Sequence, residues 1–216
     1  MKLKSFVSIL SIAAGALSLS ACKSAAVKQN TDHAFPIVVS AEEPAFIFPI
    51  SLHGTPGNDT EVGLAISSGA VAEYGASVIS GQQLYSQVGN LSWTLGENMR
   101  RQANKDQFKM TGTADKEAKK LDKQMKKLTS KLKSKGVITN PDYNFKYVIV
   151  LHVDSAGGMQ VPYVKNVTAF GGIIDLETQE IVTYIEKDLT LSEDGVLAQM
   201  PAEMNKIIAD LLAPSA

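Results

Sequence analysis

Phe145-Lys146-Tyr147-Val148-Ile149-Val150-Leu151-His152-Val153-Asp154 decides the fold class. Its odd-numbered positions are all apolar and its even ones mixed, the period of a strand with one face in a core. His152 falls on the mixed face, which predicts a surface or half-buried histidine. A second strand is expected over about 165–175, and Leu176-Glu177-Thr178-Gln179 turns it into a third over 180–191. A connection that short makes the last two strands antiparallel. Gly171 and Gly172 in the second strand point to a bulge or to another backbone close by.

The helices lie outward from this meander. Over residues 114–135, Ala114, Ala118, Leu121, Met125, Leu128 and Leu132 recur at alternating spacings of four and three, a narrow apolar seam. Asp115 and Glu117 suit the positive end of that helix, the lysines near its end suit the negative one, and Gly136 is placed to stop it. Leu84, Val88, Leu91, Leu95 and Met99 form the stripe of a second helix, with Tyr85 and Trp93 off the stripe. A last helix carries Leu197, Met200, Met204, Ile207, Ile208, Leu211 and Leu212, with a break or start expected at Pro201. Residues 62–80 are rich in Gly, Ala and Ser. A helix is expected there on the repeat Leu64, Val71, Val78, packed closely on a neighbour or else surface-active. Residues 45–52 read as a strand interrupted by Pro49, which belongs at an edge or a bulge. The fold class is therefore α/β (α+β). One domain is expected: a three-stranded antiparallel meander plus an N-terminal strand, packed by helices, one of them long and lysine-rich.

The N-terminus has a different character. Lys2 and Lys4 precede an apolar run from Phe6 to Leu17, and Leu19-Ser20-Ala21 leads into Cys22, the chain's one cysteine. A charged start, an apolar centre and small residues before a cut make a secretory signal. With one thiol, neither an intramolecular disulfide nor a zinc thiolate cluster is available. Leu19-Ser20-Ala21-Cys22 resembles the lipobox of bacterial lipoproteins. The resemblance implies acylation at Cys22, removal of residues 1–21, and, because Lys23 follows rather than Asp, residence at the outer membrane facing the periplasm. Two or more acyl chains give stable anchoring at about 0.8 kcal/mol per buried methylene. Residues 22–44, polar and small, read as a tether in which Pro36-Ile37-Val38-Val39 suits a brief edge pairing, and residues 45–216 as the domain.

Within that domain, 143–151 and 172–182 carry a second likeness. The run from Tyr143 to Leu151 and the stretch Gly172-Ile173-Ile174-Asp175-Leu176-Glu177-Thr178-Gln179-Glu180-Ile181-Val182 resemble the strand and hairpin of outer-membrane lipoproteins related to the TolB amino-terminal domain. That group includes the curli secretion lipoprotein and lipoprotein activators of penicillin-binding proteins. Gln179 stands where that family has Gly.

Charge and chemistry narrow the function classes. The 216 residues carry a net charge of −1, with 44% hydrophobic and 20% charged residues, an ordinary globular balance. Between Asp115 and Lys135 there are nine lysines against three acidic residues, a local +6. The partner-binding candidates are Trp93 and Lys116, Lys119, Lys120, Lys123, Lys126, Lys127 and Lys131, although the lysines are scattered around the helix axis and favour no single groove. His33, His53 and His152 stand far apart, none with a second ligand at helical spacing, and Asp154-Ser155 beside His152 point to opposite strand faces. No catalytic residue, metal ligand or cofactor site is expected. An exported chain also makes nucleic acid an unsuitable partner. The leading expectation is a lipid-anchored, non-catalytic adaptor or accessory subunit of an envelope complex serving secretion, wall synthesis or transport. Two alternatives stay open: a direct binder of anionic lipid or cell-wall polymer through 114–135, and a homo-oligomeric ring or pore component using 62–80.

Overall fold

The computed structural model describes residues 26–52, 59–136, 139, 141, 144–155, 166–191 and 195–214. The expected meander is its centre. Strands β6 (Tyr147–Ser155), β7 (Asn166–Asp175) and β8 (Glu180–Thr190) pair antiparallel in sequence order. The turn between β7 and β8 is held by Asp175, whose Oδ1 accepts the Glu177 and Thr178 N–H groups at 2.8 and 3.1 Å. Gln179 sits there at a φ of 59°, the left-handed conformation for which glycine is suited.

The sheet is larger than the sequence suggests. β1 (Lys28–Gln29) adds antiparallel to β8. On the other side β3 (Ala45–Ile47) and β4 (Ser51–Leu52) run parallel to β6, and β5 (Val78–Ser80) runs parallel to β3. The order is β1-β8-β7-β6-β3-β5, with β4 also on β6. Pro49 falls between β3 and β4, so it splits the expected strand without occupying an edge. A separate parallel pair joins β2 (Ile37–Val39) to β9 (Leu212–Pro214). Two segments of the 22–44 stretch thus pair with distant parts of the chain. Short strands whose partners lie far away in sequence leave little local period to read.

Helices α1 (Asp59–Tyr74) and α4 (Gly195–Leu211) cover one face of the sheet, α2 (Tyr85–Ala103) and α3 (Thr113–Ser134) the other. Val62, Ile66, Met204 and Ile207 meet Ile149, Leu151 and Ile173 beneath the first pair. Leu95, Met99, Leu121 and Met125 meet Val148, Val150, Phe170 and Ile174 beneath the second. β6 is therefore buried on both faces, and His152, expected near the surface, is fully buried. Each Leu or Ile so enclosed contributes about 1.5–3 kcal/mol of transfer free energy. The two central glycines explain how close the layers come. A Cβ on Gly171 would collide with Ile207 of α4, and one on Gly172 would lie 2.5 Å from Met99 of α2. The bulge in this strand pair falls one residue later, between Ile173 and Ile174.

Two further expectations are corrected. The helix expected across 62–80 ends at Tyr74, Gly75 turns with a φ of 59°, and Val78 belongs to a strand. Its inward face is Val62, Ile66 and Ala70, while Leu64 and Val71 are 55% and 48% exposed. Pro201 lies inside α4 rather than at a start, where its missing N–H removes the bond to the carbonyl of residue 197. By contrast α3 stops as expected: Lys135 ends it, and Gly136, at a φ of 70°, returns its N–H to the Lys133 carbonyl.

Candidate functional site

α2 and α3 form an αα-hairpin, and its outer seam opens into a groove of about 750 Å³. Tyr85, Asn90 and Trp93 line it from α2, and Lys120, Lys123, Gln124 and Lys127 from α3. Ser51 and Leu52 of β4 meet it from below. On α3 the spacing 120, 123, 127 puts three lysines on one face, next to the buried stripe of Leu121 and Met125. On α2 Trp93 lies two turns from Tyr85 on the side left over by the stripe, 44% exposed. The expectation that the lysines favour no groove is thereby corrected for these three.

The lysines differ in their partners. Lys119 pairs with Asp115 at 2.9 Å, Lys120 with Glu117 at 2.7 Å and Lys126 with Asp122 at 2.8 Å, each within α3. Lys116, Lys123, Lys127 and Lys131 make no ion pair among the described residues. Lys123 and Lys127 are thus the groove's uncompensated cations, and with Trp93 they present positive charge beside an aromatic face. Such a surface favours an acidic partner with an apolar element. Lys126 points to a second cavity of about 740 Å³ lined by Glu42, Asp122, Phe145, Tyr147 and Glu177, which is mixed in charge. Lys116, Lys119 and Lys131 line neither cavity.

Sequence reasoning also missed a buried polar row beneath the groove. Ser51 Oγ lies 3.2 Å from His152 Nδ1, and His152 Nε2 lies 3.5 Å from Glu97 Oε2. His152 first, and Arg101 at 2.7 Å second, hold the Glu97 carboxyl down to about 2. At 3.5 Å the contact is long for a hydrogen bond, and His152 Nε2 has no closer partner among the described residues. The residue types are those of a serine hydrolase, but the setting is not. Ser51 is 2% exposed, His152 is fully buried, and Gly96 of α2 presses on the ring so closely that a Cβ there would stand 2.8 Å from His152 Cβ. Ser51 touches the groove floor, but His152, which would have to take its proton, is fully buried and does not line the groove, so the row packs α2 onto the sheet. Asp154, next along β6, is taken up by Arg100 at 2.7 Å, which also holds Glu186 of β8 at 2.9 Å.

Among the described residues there is no metal-ligating cluster of three or more His, Cys, Asp or Glu, and no helix is long and apolar enough to cross a membrane. Cys22 and the histidines' third member, His53, lie outside the described residues.

No protein-family description and no curated protein matches the chain. Among solved structures it is similar to the PelC dodecamer from Paraburkholderia phytofirmans in two crystal forms. Both are 11% identical and cover 87% of this chain, with 99% and 97% of the other chain and TM-scores of 0.39 and 0.38. It is also similar to lipoprotein GNA1162 from Neisseria meningitidis, 14% identical over 77% of this chain and 96% of that one, at a TM-score of 0.34. These likenesses are loose, and the functional reading below rests on this chain's own residues.

Proposed function

We propose that this chain is a lipid-anchored, non-catalytic accessory protein of a bacterial cell-envelope complex. It is anchored at the outer membrane through Cys22, faces the periplasm, and receives an acidic protein partner in the α2–α3 groove. The observation that carries the reading is the juxtaposition of Trp93 with Lys123 and Lys127 on the groove wall. An aromatic anchor supplies contact area at low entropic cost, and cations without internal partners supply orientation. Export and anchoring are supported by the signal ending at Cys22.

A photo-cross-linking residue at Gln124 tests this in intact cells. The expected result is a discrete adduct with an envelope protein, lost on Trp93→Ala combined with Lys123→Glu. A Gln124 probe that captures no more than one placed at the exposed Glu177, outside the groove, would overturn the reading.

A second reading is self-association, and α1 favours it. Leu64 and Val71 expose apolar side chains on the side of α1 that carries the exposed Glu61, on the layer opposite the lysines of α3. Opposite signs on opposite faces suit head-to-tail contact, which closes into a ring or runs into a filament.

A further inference from the structure

We infer that the edge of the sheet made by β1 and β8, with the C-terminal end of α2 beside it, lies against the phospholipid headgroup surface. The inference rests on the proposed acylation of Cys22. Lys28, the first paired residue, is six residues beyond that cysteine. A fully extended chain covers at most about 3.6 Å per residue, so the attachment spans no more than about 22 Å. A 23-residue tether would have allowed roughly four times that reach.

The attachment point is firmly set. Lys28 and Gln29 are in register with Tyr184 and Thr183, and the Asn30 N–H donates to the Val182 carbonyl at 2.8 Å. Thr183 Oγ1 donates to the Lys28 carbonyl at 2.9 Å, and Lys28 Nζ reaches Asp106 at 2.7 Å and the Tyr184 ring at 5.6 Å. Tyr184 in turn donates to the Ala103 carbonyl at 2.8 Å, which ties β1 to the end of α2. Lys105 is exposed in the loop that follows, in position to meet anionic headgroups, while the exposed Lys109 lies 3.9 Å from the Glu180 carboxylate.

This orientation separates the two ends of α3. The helix begins ten residues after Ala103, and its lysines 120–127 face the first half of α2, so it runs back antiparallel, away from the β1 edge. Lys131 is 18 residues beyond Thr113, about 27 Å along the axis at 1.5 Å per residue. The far part of the lysine face is then presented to the periplasm rather than to lipid.

The test uses full-length acylated protein, extracted and reconstituted in vesicles of phosphatidylethanolamine and phosphatidylglycerol. Acylation occupies the Cys22 thiol, so Lys105→Cys or Lys131→Cys supplies the one free thiol for a fluorophore. Nitroxide-headgroup lipids are expected to quench the label at 105 several-fold more than the label at 131. Insertion of a long Gly-Ser segment after Lys23 is expected to abolish that difference. Equal quenching at both positions in a protein shown by mass to carry its acyl chains would overturn this inference alone. Absence of acyl chains would overturn the anchoring reading and this inference with it.

Discussion

α3 and α1 are two helices of one domain, and their sequences advertise burial in opposite ways. In α3 lysine fills every side except a seam, and Ala114, Ala118, Leu121 and Met125 on that seam are all buried. In α1 apolar and small residues surround the axis, so no side is marked. The heptad spacing of Leu64 and Val71 selects the exposed side, and Ile66 the buried one. A hydrophobic period locates a core face only where polar residues define the other face. Where small residues dominate, close approach decides, as at Gly69, whose missing Cβ makes room for Asn205 of α4.

The first way to break this comparison is to empty both cores. Leu121→Ala and Ile66→Ala each remove a side chain no more than 1% exposed, and each is expected to cost about 2–5 kcal/mol in urea unfolding. A loss for Ile66→Ala well under that for Leu121→Ala would mean that α1 is only loosely seated, and the contrast between the helices would extend from pattern to energy.

The α2 side can be probed by pH. The Glu97 carboxyl is held at about 2 by His152 and Arg101, below its ordinary 4.5. A depressed carboxylate contributes stability above its unfolded pKa, and that contribution is lost as pH falls through the folded value. Between pH 4.5 and 2 a loss of roughly 2–3 kcal/mol is expected from this group. Glu97→Gln should flatten that part of the stability profile, and an unchanged profile would show that α2 is not held to the sheet through this row.

These regions also show how much could be read in advance. The meander, the seam of α3 and the stripe of α2 were legible because each repeats a local period over many residues. β1 and β5 were not, because two or three residues carry no period and their partners are remote; for Ile37–Val39 the brief pairing was legible, but its partner β9 was not. The groove was half legible: Trp93 and the lysines could be named, and 120, 123 and 127 share a helical face by spacing alone. Their meeting depends on how α3 folds back on α2, which neither helix encodes by itself. The burial of His152 needed the second helical layer, which the mixed pattern of β6 conceals. The hairpin offers a smaller check on local reading. Gln179→Gly should relieve its left-handed backbone and stabilise the domain by about 1 kcal/mol; no gain would mean that Gln179 makes up the difference through contacts of its side chain.

The smallest expected change in stability separates the exposed side of α1 from everything beneath it. Leu64 is 55% exposed, so Leu64→Ser should leave unfolding within about 0.5 kcal/mol of the parent. Its effect on association is a different matter. If α1 meets the lysine layer of a second copy, detergent-extracted protein should run larger than a monomer, and Leu64→Ser should reduce that size. High salt alone should weaken the assembly only in part, because an apolar contact survives screening that exposed charges do not. A parent protein that already runs as a monomer removes self-association. Complete dispersal by salt with no effect of Leu64→Ser would instead assign the contact to the lysines of α3 and leave the exposed strip of α1 without a part in it.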